Sequence, residues 1–148
     1  MKYKLFILGI FLSGGVAPAK AEDINCLAKN IYYEARGVSI QKQKAVAKVT
    51  MNRVRSNSYP NDICSVVYQK SQFSWTANSN AKRGLREPKA WARSYALAYK
   101  IVYKGIDPYP GLSAKWFHDT SIRKPYWAKS LQVELRVPPF IFYKEKMK

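Results

Sequence analysis

Within the run NIYYEARG, Asn30 to Gly37, a single carboxylate stands among apolar and aromatic residues. If the run is helical, each residue advances about 100°. Ile24, Leu27, Ala28, Ile31 and Ala35 then form one stripe, with Glu34 roughly 75° from its centre. That is the border between core and surface. A carboxylic acid held there is partly desolvated, which favours its protonated form and suits it to donate a proton near neutral pH. The position fits equally a Glu at the edge of a surface helix, paired with a Lys or Arg. A second suggestive run is Gln72-Phe73-Ser74-Trp75, ahead of a polar loop from Asn78 to Arg86. Aromatic rings beside amides can stack on a sugar's apolar faces and hydrogen-bond its hydroxyls and acetamide. Phe73 and Trp75 would serve a core as well.

Positioning these groups falls to a series of helices. Asp23 or Asn25 is expected to cap the first, which Gly37 can end, so that Glu34 lies in its last turn. A second helix is expected from Ile40 or Gln41 to Arg55, with Ala45, Val46, Val49 and Val54 inside. Asn52 and Arg53 fall close to that face, where an Arg either snorkels or pairs with a carboxylate. Asn57 to Asp62 is a turn around Pro60, and Ile63 to Tyr68 reads as helix or strand. The clearest later helix spans Pro88 to Lys104, with Gly105 beyond it and Trp91, Tyr95, Ala98 and Val102 on one face. The period then changes. Leu131, Val133, Leu135 and Val137 alternate with polar residues as in a half-buried strand. Phe140 to Tyr143 follows as another, its neighbouring Pro138-Pro139 suggesting a sheet edge. Helices first and strands later read as α+β.

Met1 to Ala21 reads as an export leader: Lys2 and Lys4, an apolar run from Leu5 to Val16, and Ala19-Lys20-Ala21 as a cleavage site. Residues 22–148 are the size of one domain with one modest core. The formal charge is +17, only three units of which (Lys2, Lys4 and Lys20) belong to the leader. So basic a surface seeks a polyanion, and outside the cytoplasm that means anionic wall polymer, lipopolysaccharide or phospholipid headgroups before nucleic acid. Cys26 and Cys64 are the two cysteines, and an oxidising compartment permits a bridge between them. With one His, no metal-ligand spacing is present, so no protein-bound metal or cofactor is expected.

Several stretches, taken in order, resemble the SleB-type cell-wall hydrolase family, the spore-cortex-lytic enzymes and their bacterial and phage relatives. They are CLAKNIYYEARG (26–37), QKAVAKVTMNRV (43–54), CSVVYQ with QFSW (64–75), AKWFH (114–118), PYWAKS (125–130) and FIFY (140–143). The resemblance implies a single lysozyme-like α+β domain, helices first and a small antiparallel sheet toward the C-terminus. It implies action on peptidoglycan glycan strands, with Glu34 as the catalytic acid and Gln43, Gln72, Phe73, Trp75 and His118 lining the groove. It also implies a Cys26–Cys64 disulfide. Members whose chemistry is clear look like lytic transglycosylases, in which one acid suffices. A conventional glycosidase needs a carboxylate pair, for which Asp62, Glu87, Asp107, Asp119 and Glu134 are the available partners.

The chain departs from the family pattern at Val38-Ser39, where Glu-Pro is usual, at Lys42 of Lys42-Gln43, where Gly-Gln is usual, at Asn78, near an expected Asp, and at Pro138 to Phe140, where a Gly-x-His run is common. The expectation is an exported monomeric enzyme of the periplasm or extracellular cell wall, binding glycan strands and anionic envelope polymers rather than nucleic acid. No membrane span is expected once the leader is removed. A non-catalytic cationic wall-binding protein on the same scaffold, or a muramidase or amidase acting on the same polymer, is the alternative.

Overall fold

A computed structural model describes residues 18–78, 81 and 84–147. The apolar leader run from Leu5 to Val16 lies outside them. Four α-helices come first: α1 (Pro18–Ala35), α2 (Ile40–Val54), α3 (Ile63–Tyr68) and α4 (Pro88–Val102). Three strands follow, β1 (Trp116–Asp119), β2 (Leu131–Val137) and β3 (Phe140–Glu145), in the antiparallel order β1-β3-β2. Among the described residues no helix is long and apolar enough to cross a membrane.

The other helices pack around α1, which contacts α2, α3 and α4, while the sheet packs on α2. It is buried well beyond the expected stripe: Cys26, Asn30 and Tyr32 are covered along with Ile24, Leu27, Ala28, Ile31 and Ala35. The helix also begins earlier than expected. Neither Asp23 nor Asn25 caps it, because the preceding Ala-Lys-Ala-Glu residues are strong helix formers and extend it to Pro18. Asp23 instead accepts hydrogen bonds from the backbone N–H groups of Ile63 and Cys64, at the start of α3. Asp62 caps that helix, accepting from the Ser65 N–H at 2.8 Å, and this resolves the segment the periodicity left open.

On α4 the buried side differs from the expected one. Ala90, Ser94, Leu97, Ala98 and Ile101 face inward, Trp91 and Val102 are half-buried, and Tyr95 is exposed. Small residues let α4 approach α1 closely, so Trp91 packs only at the margin of the core and Tyr95 is left outside it. In the sheet, β3 is central rather than at an edge. Pro138 and Pro139 fall in the turn between Val137 and Phe140, which are paired, so their missing N–H groups interrupt no ladder. The third strand, β1, was not anticipated: its register sets His118 opposite Ile141 and Asp119 opposite Phe140.

Two apolar clusters result, one where α1, α3 and α4 meet and one between α2 and the sheet. Buried Lys48 crosses from α2 to bond both Asp107 carboxylate oxygens at 2.6 Å. A Cys26–Cys64 disulfide ties α1 to α3, with 5.3 Å between Cα atoms and a sequence separation of 38. By restricting the unfolded chain, a loop of that size stabilises the fold by about 3–4 kcal/mol. Urea unfolding with and without reductant should reveal a loss of that order. Coincident transitions would mean that the bridge contributes nothing.

Candidate active site

Glu34 is the penultimate residue of α1 and opens into a groove of about 1080 Å³. One wall is the end of α1, another the segment from Ser71 to Trp75, and the third the sheet edge at Phe117, His118 and Asp119. The carboxyl is half-buried, and desolvation raises it from its ordinary value to about 7. Arg53 pulls in the opposite direction, and the charge of Asp119 across the groove adds to the rise.

Arg53 is built in with unusual rigidity. It is 4% exposed, its Nε donates to the Lys115 carbonyl at 2.7 Å, and its guanidinium lies over Phe73 at 5.1 Å and Tyr59 at 5.3 Å. Burial lowers its pKa, while the Glu34 charge partly restores it. Nη1 is buried with no hydrogen-bond partner among the described residues. The sequence placed Arg53 near the inner face of α2 but could not decide its partner, because that partner sits on another element.

The other expected residues divide. Gln72 lines the groove at its lip, beside Ser71, whose φ of 63° is left-handed. Trp75 also lines it, but its indole N–H donates to the Asn30 Oδ1 at 2.8 Å and its ring is stacked on Tyr33 at 4.7 Å, so Tyr33 covers that face. Phe73 is 3% exposed and serves as the platform under Arg53 more than as a surface for a sugar. His118 lines the groove while stacked on Tyr143 at 5.5 Å, and burial, with Lys124 and Arg136, lowers its pKa and keeps it neutral. Gln43 does not line the groove. It is buried at the start of α2, where its Nε2 donates to the Val38 carbonyl at 3.0 Å and fixes the turn that ends α1. Of the departures from the family pattern, Asn78 and Phe140 line the groove, Phe140 packing edge-on against Phe117. Trp127, Tyr33 and the Arg36–Glu87 ion pair, at 2.6 Å, complete the walls. Only the Tyr32-Tyr33 doublet beside Glu34 could have signalled them.

A single acid of raised pKa in a long aromatic-walled groove defines an α+β domain suited to proton transfer on an extended substrate. The chain belongs to the Cell Wall Hydrolase family, which is matched over residues 37–143, a span that opens just past Glu34. It is 39% identical over 108 residues to a spore cortex-lytic enzyme of Bacillus cereus, covering 72% of this chain and 39% of that protein. The spore cortex-lytic enzyme of Halalkalibacterium halodurans is 29% identical over 107 residues, covering 72% and 31%. The chain thus spans two fifths or less of the length of these relatives. Among solved structures, the catalytic domain of the Bacillus cereus SleB protein matches with a TM-score of 0.65 at 25% identity, over 88% of this chain and 93% of that one. The catalytic domain of the germination-specific lytic transglycosylase SleB from Bacillus anthracis matches at 0.66 and 25%, over 88% and 98%. The expected SleB-type resemblance and α+β fold are both met.

Because Glu34 titrates near 7 when folded and near 4.5 in its ordinary state, the folded protein holds that proton more tightly. The stability this proton confers is full below about pH 4.5 and is lost as pH rises through 7. Glu34→Gln should therefore leave stability nearly unchanged at about pH 4 and raise it on the order of 3 kcal/mol by about pH 8. In carbon-13 titrations, Asp119→Asn should lower the Glu34 pKa and Arg53→Met should raise it. A Glu34 that titrates in the ordinary carboxylate range would contradict the desolvation.

Proposed function

We propose that this domain cleaves the peptidoglycan glycan strand between N-acetylmuramic acid and N-acetylglucosamine as a lytic transglycosylase. The observation that carries the reading is the half-buried Glu34, protonated near neutral pH in a groove wide enough for a polysaccharide. Glu34 gives its proton to the glycosidic oxygen, the C1–O bond breaks, and an oxocarbenium-like centre develops at C1 of the muramic acid. The muramic 6-hydroxyl attacks C1 while the Glu34 carboxylate accepts the hydroxyl proton, leaving a 1,6-anhydro end and a restored acid. Arg53 steadies the carboxylate between the two proton transfers, since its charge favours the ionised form. Similarity to the Bacillus anthracis domain, that of a germination-specific lytic transglycosylase, supports this chemistry.

Asp119 favours a second reading. It lines the same groove and its charge acts on Glu34, so it could activate a water and make the reaction a hydrolysis. Mass spectrometry of digested muropeptides separates the two: anhydro ends for transglycosylation, reducing ends for hydrolysis. We also propose that the protein is exported with loss of residues 1–21 and works in the envelope. The disulfide between Cys26 and Cys64 supports an oxidising compartment.

Glu34→Gln keeps the side chain's size and removes its transferable proton. General acid catalysis contributes ~10²–10⁴-fold, so dye release from labelled peptidoglycan should fall by at least the lower of these while melting shows an intact fold. Activity within about tenfold of the parent would remove Glu34 from the role.

The +14 that remains of the formal +17 once Lys2, Lys4 and Lys20 leave with the leader should hold the enzyme on anionic envelope polymers, and exposed charges are screened beyond about 8 Å at physiological salt. Affinity for walls retaining those polymers should fall steeply as salt rises. A salt-independent affinity would assign binding to the groove instead.

A further inference from the structure

The outer side of α4 carries a surface of its own. Trp91, Tyr95 and Tyr99 follow on successive turns, Trp91 and Tyr99 half-buried against the core and Tyr95 exposed, and with Ala92, Ala96, Lys100 and Lys104 they line a second groove of about 610 Å³. Tyr95 is 39% exposed, and Tyr103, stacked on Tyr99 at 5.0 Å, is 36% exposed. Four residues of helix separate these rings by about 6 Å along the axis. The Lys104 ammonium group lies 5.4 Å from the Tyr103 ring centroid, so the far end of the surface is cationic.

The two grooves are neighbours, lined by Glu87 in one and by Trp91, one helical turn later, in the other. Glu87, the residue before α4, lines the Glu34 groove with its ion-pair partner Arg36. Arg36 covers the Tyr32 ring at 4.9 Å, Tyr32 meets Trp91 at 6.2 Å, and Trp91 meets Tyr95 at 5.8 Å. Through the buried Tyr32 ring, Tyr33 and Trp75 beside Glu34 are thus packed in one aromatic cluster with Trp91 and Tyr95 of α4.

We propose that this face of α4 binds the same glycan strand beyond the cleaved bond. Its rings would stack on the apolar faces of successive sugars, while Lys100 and Lys104 pair with the carboxylates of the strand's substituents. The inference rests on peptidoglycan being the substrate. Its place one helical turn from the Glu34 groove, and two lysines suited to the strand's carboxylates, favour this occupant. A second copy of a domain carrying +14 without the leader's three lysines would be repelled.

The test uses Glu34→Gln protein, which cannot clear its own target, sedimented with purified sacculi. Tyr95→Ala/Tyr99→Ala in that background should weaken binding about tenfold or more, and Tyr95→Phe/Tyr99→Phe should restore it, since stacking needs the ring and not the hydroxyl. In the Glu34→Gln protein with both tyrosines intact, soluble glycan strands should slow hydrogen exchange across residues 91–106. Equal sedimentation of the alanine variant, or unprotected exchange there, would overturn the assignment. So would a loss confined to phosphatidylglycerol vesicles or to self-association. If the parent protein itself fails to sediment with sacculi, the functional reading falls together with this one. If the parent sediments and the alanine variant does so equally, only the α4 surface is withdrawn.

Discussion

The buried amide of Asn30 is the constraint on which the site depends. It is completely buried in α1, donates to the Thr50 hydroxyl of α2 at 3.1 Å and accepts from the Trp75 indole at 2.8 Å. An unpaired buried amide is penalised by about 1–3 kcal/mol, so these two bonds fix the rotation of α1 about its axis more strictly than apolar packing alone. Glu34 lies one turn further along, on the same side as Asn30. The bonds that lock Asn30 between α2 and the Trp75 segment thus aim the acid into the groove between those two neighbours and the sheet.

Around Glu34 the structure balances opposed electrostatic effects. Burial and Asp119 favour the protonated acid, and Arg53 favours the carboxylate. Burial alone would produce an acid reluctant to release its proton, and a direct Arg contact would produce a permanent carboxylate. Arg53 avoids the latter because the Lys115 carbonyl and the Phe73 and Tyr59 rings hold it in place. Residues expected to meet substrate thus act one layer further out: Phe73 supports Arg53, Trp75 supports Tyr33, and Gln43 fixes the turn after Glu34.

The two faces of α4 follow from one packing decision. Close approach to α1 requires small residues at the contact, and Ala90, Ser94 and Ala98 supply them. Of the face expected from periodicity, Ala98 is buried, Trp91 and Val102 pack at the margin of the core and Tyr95 is left open to solvent.

Local pattern was enough for much of the fold. The bounds of α2, the start of α4, the span of β2 and the place of Glu34 in the last turn of its helix were legible, because hydrophobic period and turn residues act between near neighbours. The border position of Glu34 was legible for the same reason, but the stripe of its own helix left open whether it was an acid or a surface ion-pair partner, and the family resemblance pointed to the acid. The helical state of Ile63 to Tyr68, the central place of β3, the strand at Trp116–Asp119 and the inward face of α4 were decided by contacts between distant segments. The same holds for Arg53, whose carbonyl partner is 62 residues away, and for Gln43, which the tertiary structure removed from the groove. Sequence determined which residues could carry the chemistry. Only the packing of α1 against its neighbours decided which of them meet, because burial and charge coupling depend on separation in space rather than along the chain.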